Sequence, residues 1–131
     1  METFRVSTKE HTQLINITSE VQKFVRNANV QDGLCVVFTP HTTAAITINE
    51  NADPNVQRDI KLKIDDIFDD DPRFRHAEGN SDAHIKSSVF GCQEQIIIEN
   101  GNLVLGTWQG IYFCEFDGPR TRKVHVQVLK A

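Results

Sequence analysis

The sequence predicts a compact single domain of the α+β class, with a mainly antiparallel β-sheet and two main helices. Its 131 residues are the length of one ordinary domain. About six to nine runs have the length and the apolar or alternating pattern of strands. The two segments with helical spacing both fall in the first half of the chain, which favours a sheet with segregated helices over alternating strand–helix units.

Composition and charge exclude several classes of protein. Hydrophobic residues make up 39% of the chain and charged residues 24%, as in globular proteins. The net charge of -4 argues against a general nucleic-acid binder, which would carry a basic face. No run approaches the ~18 apolar residues of a membrane span, and the N-terminus lacks a signal-peptide core, so we expect a cytoplasmic protein. Three cysteines, Cys35, Cys92 and Cys114, each lie in an apolar run and are expected to be buried free thiols.

The chain opens with two strand patterns and a helix. The strands are predicted at Phe4–Thr8 and Leu14–Ile17, where apolar and polar residues alternate. Ser19 is placed to cap the helix, and Gln22, three residues later, completes a capping-box pattern. The helix buries one apolar stripe, formed by Val21, Phe24, Val25 and Ala28.

Two further strands and the second helix follow. Leu34–Phe38 is continuously apolar, which predicts a central strand buried on both faces. Ala44–Asn49 alternates, and a continuation to Glu50 would put that carboxylate on the apolar face. The second helix starts clearly, with Asp53 as its N-cap and Pro54 at its first position. Its apolar stripe comprises Val56, Ile60, Ile64 and Ile67 or Phe68, and Pro72 ends the segment.

The last third of the chain is predicted to be all-β. Ile96–Glu99 and Leu103–Leu105 flank Asn100-Gly101, a pair that suits the type I′ turn of a hairpin. Two more strands are predicted at Ile111–Phe116 and Lys123–Leu129.

Two polar stretches carry the candidate chemistry. They run from His41 to Asn51 and from Arg73 to Gly91, and we expect them to meet in one pocket that binds a metal ion, a phosphorylated ligand, or both. The second stretch is so polar that we expect it to lie outside the hydrophobic core. Three neutral imidazoles would suit a divalent transition metal with one open position, and the candidates are His41, His76 and His84. The alternative is that these are ordinary hydrogen-bonded loop histidines.

Acidic, basic and aromatic residues extend this hypothesis. Glu50, Asp82 and Glu115 are candidates for orienting the histidines or for acid–base catalysis, with surface salt bridges as the alternative. Candidates for phosphate binding, which would otherwise form a solvated basic rim, are Lys86, Ser87, Ser88, Arg120 and Arg122. Trp108 stands in a Gly-flanked segment and is either an aromatic wall for a heterocycle or part of a subunit interface.

Long motifs in this chain resemble a known family. They are HTTAAITINENADPNV, HIKSSVFG, LVLGTWQGIYFCEFDGPR and RKVHVQ, and they resemble the YjbQ-like family, also called the secondary thiamine-phosphate synthase family. The resemblance extends from about Phe4 to Leu129. It implies a compact α+β fold that assembles as a homotrimer. It also implies a site near the subunit interface, in which His41, His76 and His84 match the family's histidine motifs.

The resemblance further implies an activity. A pyrimidine pyrophosphate is joined to a thiazole phosphate, with release of pyrophosphate. The implied cofactor is a divalent metal ion, zinc for the three histidines or magnesium with the pyrophosphate substrate. Lys86, Arg120 and the serines would stabilise the leaving group, and Trp108 would face the pyrimidine. Two alternatives stay open: a metal-dependent hydrolase of a small phosphorylated or ester substrate, and a non-enzymatic trimer that binds a metal or a metabolite.

Overall fold

The chain forms two antiparallel sheets and three helices. The structure, a computed structural model, describes all 131 residues. In chain order the elements are β1 (Glu2–Ser7), β2 (Gln13–Asn16), α1 (Thr18–Asn27), β3 (Gly33–Phe38), β4 (Ala44–Glu50), α2 (Pro54–Ile67), α3 (Ser81–Phe90), β5 (Gln93–Glu99), β6 (Asn102–Leu103), β7 (Gln109–Glu115) and β8 (Thr121–Lys130). The predicted α+β class is confirmed.

The two sheets stack on each other, and the second sheet also carries two helices. The larger sheet has the strand order β1-β8-β3-β5-β6 and the smaller one β2-β7-β4. Inward side chains of both sheets, together with α1, form the main core, in which Val37, Ile46 and Phe113 are completely buried. A second core lies on the other face of the small sheet, where Ala45 and Phe116 pack with α2 and α3.

The central position of β3 is confirmed, but its burial on both faces is not. Cys35 and Val37 point into the main core, whereas Leu34 and Val36 are half-buried and Phe38 is exposed. The reason is that the helices lie inside the main core or behind the small sheet, so nothing covers the outer face of the large sheet.

The predicted helix and turn signals were largely correct. Asp53 accepts a hydrogen bond from the backbone N–H of Asn55 and Pro54 opens α2, as expected. Asn100 and Gly101 adopt φ angles of 52° and 77°, as a type I′ turn requires. The Ser19 cap was wrong: the N-cap position of α1 is Ile17, two residues earlier, and the helix begins at Thr18, whose backbone N–H donates to the side-chain oxygen of Asn16.

The third helix is the main element that the sequence did not predict. α3 occupies the second half of the polar stretch, and Ala83, Lys86 and Ser87 are buried there, so the expectation that this stretch lies outside the core was wrong. Its packing face includes polar side chains. These can be buried because Lys86 is paired with carboxylates and Ser87 donates a hydrogen bond to the backbone oxygen of Ala44. None of the three helices is both long and apolar enough to span a membrane.

Candidate functional site

A polar cleft opens at one end of the two sheets, and we call it the anion cleft. Three segments line it: the loop that leads into β4, the segment before and at the start of α3, and the turn between β7 and β8. Its volume is about 370 Å³. Its principal side chains are His41, Thr43, His76, Glu78, Asn80, His84, Asp117, Arg120 and Arg122. The structure therefore brings both predicted polar stretches, with all three candidate histidines, to one place.

Glu115 is a buried carboxylate that lies beneath this cleft. Its carboxylate is completely buried and accepts hydrogen bonds from Nε of Arg122 at 2.8 Å, the hydroxyl of Thr8 at 2.8 Å and the backbone N–H of Asp117 at 3.0 Å. Burial alone would raise the pKa of Glu115, but the hydrogen bonds from Arg122, Asp117 and Thr8 outweigh it and hold the pKa below the usual 4.5. The carboxylate is thus ionised and committed to Arg122, which argues against the predicted acid–base role.

Arg122 is held in one orientation by these contacts. The residue is only 2% exposed, and its Nη2 donates to Glu115 and to both the backbone oxygen and the hydroxyl of Thr43. Its third nitrogen, Nη1, makes no hydrogen bond within the chain. Since Arg122 lines the anion cleft, one edge of a fixed guanidinium is left to donate to a ligand.

Arg120 is anchored beside it. Its Nε donates to the backbone oxygen of Asp117 at 2.9 Å, and its Nη2 lies 3.1 Å from a carboxylate oxygen of the same residue. The side chain remains half-exposed. The cleft therefore holds two guanidinium groups, one rigid and buried, the other anchored near the surface.

His41 is a neutral hydrogen-bond donor in this arrangement. Its Nε2 accepts the backbone N–H of Lys123 at 2.9 Å, so the ring proton is on Nδ1. Burial, followed by the positive charge of Arg122, lowers the pKa of His41. The ring therefore presents an N–H group.

The three histidines do not form a ligand set for a metal ion as they stand. A metal-bound histidine normally donates its second N–H to an acceptor, whereas the second nitrogen of His41 faces an N–H donor. Ligation through Nδ1 would then require an anionic imidazolate. The rings of His76 and His84 meet edge to face with their centroids 5.4 Å apart, and no group of three or more histidine, cysteine or acidic side chains is arranged to hold a metal. The three-histidine zinc or magnesium site stays a prediction.

Asn80 adds an unused acceptor to the anion cleft. Its amide nitrogen donates to Asp117 at 2.9 Å, which fixes the orientation of the amide. Its carbonyl oxygen is buried and has no hydrogen-bond partner in the chain. Because an unpaired buried acceptor is costly, a hydroxyl, an N–H or a water molecule is expected to reach it.

Lys86 and Asp82 do not reach the cleft, contrary to their predicted roles. Lys86 is 2% exposed and points from α3 towards α2, where its ammonium lies 2.9 Å from Asp65 and 3.7 Å from Asp82. Thr12 also donates to Asp65, at 2.9 Å. These ion pairs and hydrogen bonds connect α2, α3 and the segment before β2.

Ser87 and Ser88 are also placed differently from the prediction. The hydroxyl of Ser87 donates to the backbone oxygen of Ala44 at 2.6 Å, and that of Ser88 donates to the backbone oxygen of His84 at 3.0 Å. Both hydroxyl protons are used, so neither serine offers a donor to a phosphate. Phosphate groups act mainly as hydrogen-bond acceptors at neutral pH, so these hydroxyls are poorly matched to them.

Glu50 and Trp108 lie at the opposite end of the small sheet. Across β4 and β7, Ala44 is paired with Glu115, whereas Glu50 is paired with Gln109. Six residues of strand separate the two ends, or about 20 Å. Glu50 caps a local turn by accepting the N–H of Ala52, and Trp108 is 63% exposed. Neither can contact a ligand in the anion cleft of the same chain.

The cleft residues that the sequence did not indicate are Glu78, Asn80 and Asp117. One signal was available for Arg122, which shares the inward face of its strand with Val124 and Val126. A buried arginine requires a carboxylate partner, and Glu115, which stands in an apolar run, was the candidate for that partner. The roles of Asn80 and Asp117 had no such signal, because they depend on how two loops meet.

Comparison with known proteins gives the family. The sequence model described as "UPF0047 protein YjbQ-like" matches residues 2–131. The chain belongs to the YjbQ family. Among its relatives in that family, UPF0047 protein YugU of Bacillus subtilis is 46% identical over 98% of each chain. UPF0047 protein MJ1081 of Methanocaldococcus jannaschii is 48% identical over 96% of this chain and 91% of its own.

Solved structures of YjbQ-family proteins share the fold. A crystal structure of an uncharacterized conserved family member from Clostridium acetobutylicum superposes with a TM-score of 0.96, at 56% identity over 98% of this chain and 100% of the other. A YbjQ-like protein of unknown function from Sulfolobus solfataricus gives a TM-score of 0.94 at 32% identity, over 99% of this chain and 96% of its own. The resemblance found in the motifs is thereby confirmed at the level of family and fold.

Proposed function

We propose that the anion cleft binds the phosphate or pyrophosphate group of a small metabolite. The observation that carries this proposal is the guanidinium of Arg122, which Glu115 and Thr43 fix while Nη1 is left unpaired. Fixed guanidinium donors suit oxyanions because they bind in two-point, charge-assisted fashion. Arg120 and the Nδ1–H of His41 add donors at the same cleft. The N-terminal end of α3, at Ser81, adds the favourable end of a helix dipole.

The reaction that we propose is secondary thiamine-phosphate synthesis. The bond between the pyrimidine-bearing carbon and the pyrophosphate oxygen breaks, and both electrons leave with the oxygen. The lone pair of the thiazole nitrogen forms the new carbon–nitrogen bond. Negative charge therefore grows on the leaving pyrophosphate, and preorganised donors such as Arg122 stabilise growing charge.

The positions and pairing of Glu50 and Glu115 favour this reaction over hydrolysis. Joining the two substrates removes no proton, so it needs no general base. A metal-dependent hydrolase would use Glu50 or Glu115 as base, but Glu50 is about 20 Å away and Glu115 is paired with Arg122. The hydrolase and a non-enzymatic binding protein are therefore the competing outcomes of the test.

Calorimetry with inorganic pyrophosphate tests the binding part. Replacing Arg120 by Gln removes one half-exposed charge-assisted contact and is expected to weaken pyrophosphate binding about tenfold. Arg73→Gln is the matched control, because Arg73 is exposed, pairs with Asp71 and lies outside the cleft. Equal affinity in Arg120→Gln and Arg73→Gln would contradict the proposed site.

Product release tests the reaction. The pyrimidine pyrophosphate is supplied with and without the thiazole phosphate, and released pyrophosphate is measured. Release that depends on the thiazole phosphate supports synthesis. Equal release in both samples indicates a hydrolase, and binding without release indicates a metabolite-binding protein.

We also propose that the chain assembles as a homotrimer. The support is the uncovered outer face of the large sheet, where Phe38, Ile97 and Leu129 are exposed to 37%, 62% and 48%. Such side chains favour contact with another apolar surface. Light scattering during size-exclusion chromatography is expected to give three chain masses, and a single chain mass would refute the proposal.

A further inference from the structure

The anion cleft presents a carboxylate oxygen to its ligand as well as hydrogen-bond donors. Asp117 lines the cleft, and its side chain is 16% exposed. Its Oδ2 accepts hydrogen bonds from the amide nitrogen of Asn80 at 2.9 Å and from Nη2 of Arg120 at 3.1 Å. Its other oxygen, Oδ1, has no hydrogen-bond partner in the chain. The one buried side-chain atom without a partner is the carbonyl oxygen of Asn80, so Oδ1 of Asp117 is open to solvent and to a ligand.

The neighbours of Asp117 fix which of its oxygens faces the ligand. Both donors, from Asn80 and Arg120, reach Oδ2, so a rotation of the carboxylate would break both contacts. Arg120 is itself held, because its Nε donates to the backbone oxygen of Asp117 at 2.9 Å. The amide of Asn80 is equally constrained, since turning it round would place its carbonyl oxygen against the carboxylate. Oδ1 is therefore a positioned acceptor.

The charges around the cleft favour a ligand that carries a proton. Each guanidinium group already has a carboxylate partner, Glu115 for Arg122 and Asp117 for Arg120. Glu78 adds a third carboxylate, but its side chain is 75% exposed and screened by water. A fully ionised oxyanion would bring a like charge to Oδ1 of Asp117. A ligand hydroxyl would instead donate to Oδ1 in a charge-assisted hydrogen bond.

We propose that Asp117 makes the anion cleft selective for an oxyanion that retains a proton. This inference rests on the proposed function and names the form of phosphate that the cleft binds. Arg122 and Arg120 donate to the unprotonated oxygens, and the P–OH group donates to Asp117. The last proton of a phosphate group is lost only at about pH 6 or above, so the protonated form is available at neutral pH. Sulfate has no such proton, and the cleft therefore rejects sulfate and sulfated metabolites.

Calorimetry with three tetrahedral anions tests this selectivity in the wild-type protein at neutral pH. The probes are inorganic phosphate, sulfate and monofluorophosphate, which has the charge of the hydrogen phosphate dianion but a fluorine in place of the hydroxyl. Phosphate is expected to bind about 100-fold more tightly than either of the others, since it alone donates to Asp117. Sulfate or monofluorophosphate binding as tightly as phosphate overturns the proposal.

The Asp117→Asn variant tests the residue itself. Its amide oxygen can still accept from Asn80 and Arg120, which places the NH₂ group where Oδ1 was and turns an acceptor into a donor. Sulfate should then bind more tightly than in the wild type, and the preference for phosphate should fall to about threefold or less. If Asp117 merely anchors Arg120, both anions weaken together and the preference stays, which overturns the proposal.

Asp71→Asn is the matched control. Asp71 also forms a local ion pair, with Arg73 at 2.7 Å, but it lies outside the cleft. Its substitution removes the same charge and should leave the preference for phosphate unchanged. A preference that falls as far in Asp71→Asn as in Asp117→Asn would show that net charge, and not Asp117, sets the selectivity.

Pyrophosphate calorimetry on the wild type separates this inference from the proposed function. Pyrophosphate binding together with equal affinities for phosphate and sulfate refutes the role of Asp117 and leaves the anion function intact. Pyrophosphate binding without any phosphate binding also overturns the selectivity. Binding of none of the three anions refutes both proposals. Because these comparisons use the wild type, they decide the question even if Asp117→Asn fails to fold.

Discussion

Replacing Glu115 by Gln should separate a structural carboxylate from a catalytic one. The substitution keeps the size of the side chain but removes its charge, and it turns an N–H₂ group towards the donors of Arg122. Glu115 is fully buried and Arg122 is 2% exposed, so water cannot compensate the charge that remains. Removing one partner of a buried pair costs about 3–5 kcal/mol. We expect about 3 kcal/mol, a large part of the ~5–15 kcal/mol that stabilises a domain.

Chemical denaturation at pH 7 measures this loss directly. Glu10→Gln is the matched control, because Glu10 pairs with Lys61 at 2.8 Å at the surface, where both side chains are more than a third exposed. Such a pair contributes only about 0–1 kcal/mol. In thermal melts, the Glu115→Gln variant is expected to unfold about 10 °C below the wild type.

The pH dependence gives an independent check. The folded pKa of Glu115 lies below its unfolded value of 4.5, so the stability it contributes is fully present above that pH. It is lost as the pH falls through the folded pKa. The difference between wild type and Glu115→Gln should therefore be constant near neutrality and shrink below 4.5. A cost no larger than that of Glu10→Gln, or a difference that grows in acid, would refute the buried-pair account.

Three other substitutions test different parts of the structure. Lys86→Met should lower the free energy of unfolding by about 2 kcal/mol in urea titrations, because Asp65 loses its buried partner but can still reach water; an unchanged midpoint would show that the pair is dispensable. Trp108→Ala should leave pyrophosphate affinity unchanged by calorimetry, and a weaker affinity would contradict its remote position. Gly110→Ala should destabilise by about 1–3 kcal/mol, because its Cβ would lie 2.8 Å from that of Asn51; a wild-type melting temperature would show that the neighbour yields freely.

Much of the fold could be predicted because local signals and packing agreed. The cap of α2 at Asp53 and the turn at Asn100-Gly101 depend on side chains and backbone angles within a few residues, so their sequence patterns are reliable. α3 was hidden because its buried face includes Lys86 and Ser87, which a hydrophobic pattern counts as solvent-exposed. The partner that makes Lys86 tolerable, Asp65, lies 21 residues away.

The candidate site was predictable in location but not in detail. His41, His76, His84 and Arg120 do line one cleft. What the sequence could not supply is the direction of each hydrogen bond. The proton of Ser88 is used by a backbone oxygen and a nitrogen of His41 by a backbone N–H. These contacts arise only when separate strands and helices meet, and they change a residue from donor to acceptor without changing its identity.

The pair formed by Arg122 and Glu115 also joins the two sheets. Arg122 belongs to β8 in the large sheet and Glu115 to β7 in the small one. The guanidinium that faces the anion cleft therefore lies between the two sheets, and its position depends on the distance between them. Any change that loosens the packing between the sheets should displace Arg122 and weaken the proposed anion binding before the chain unfolds.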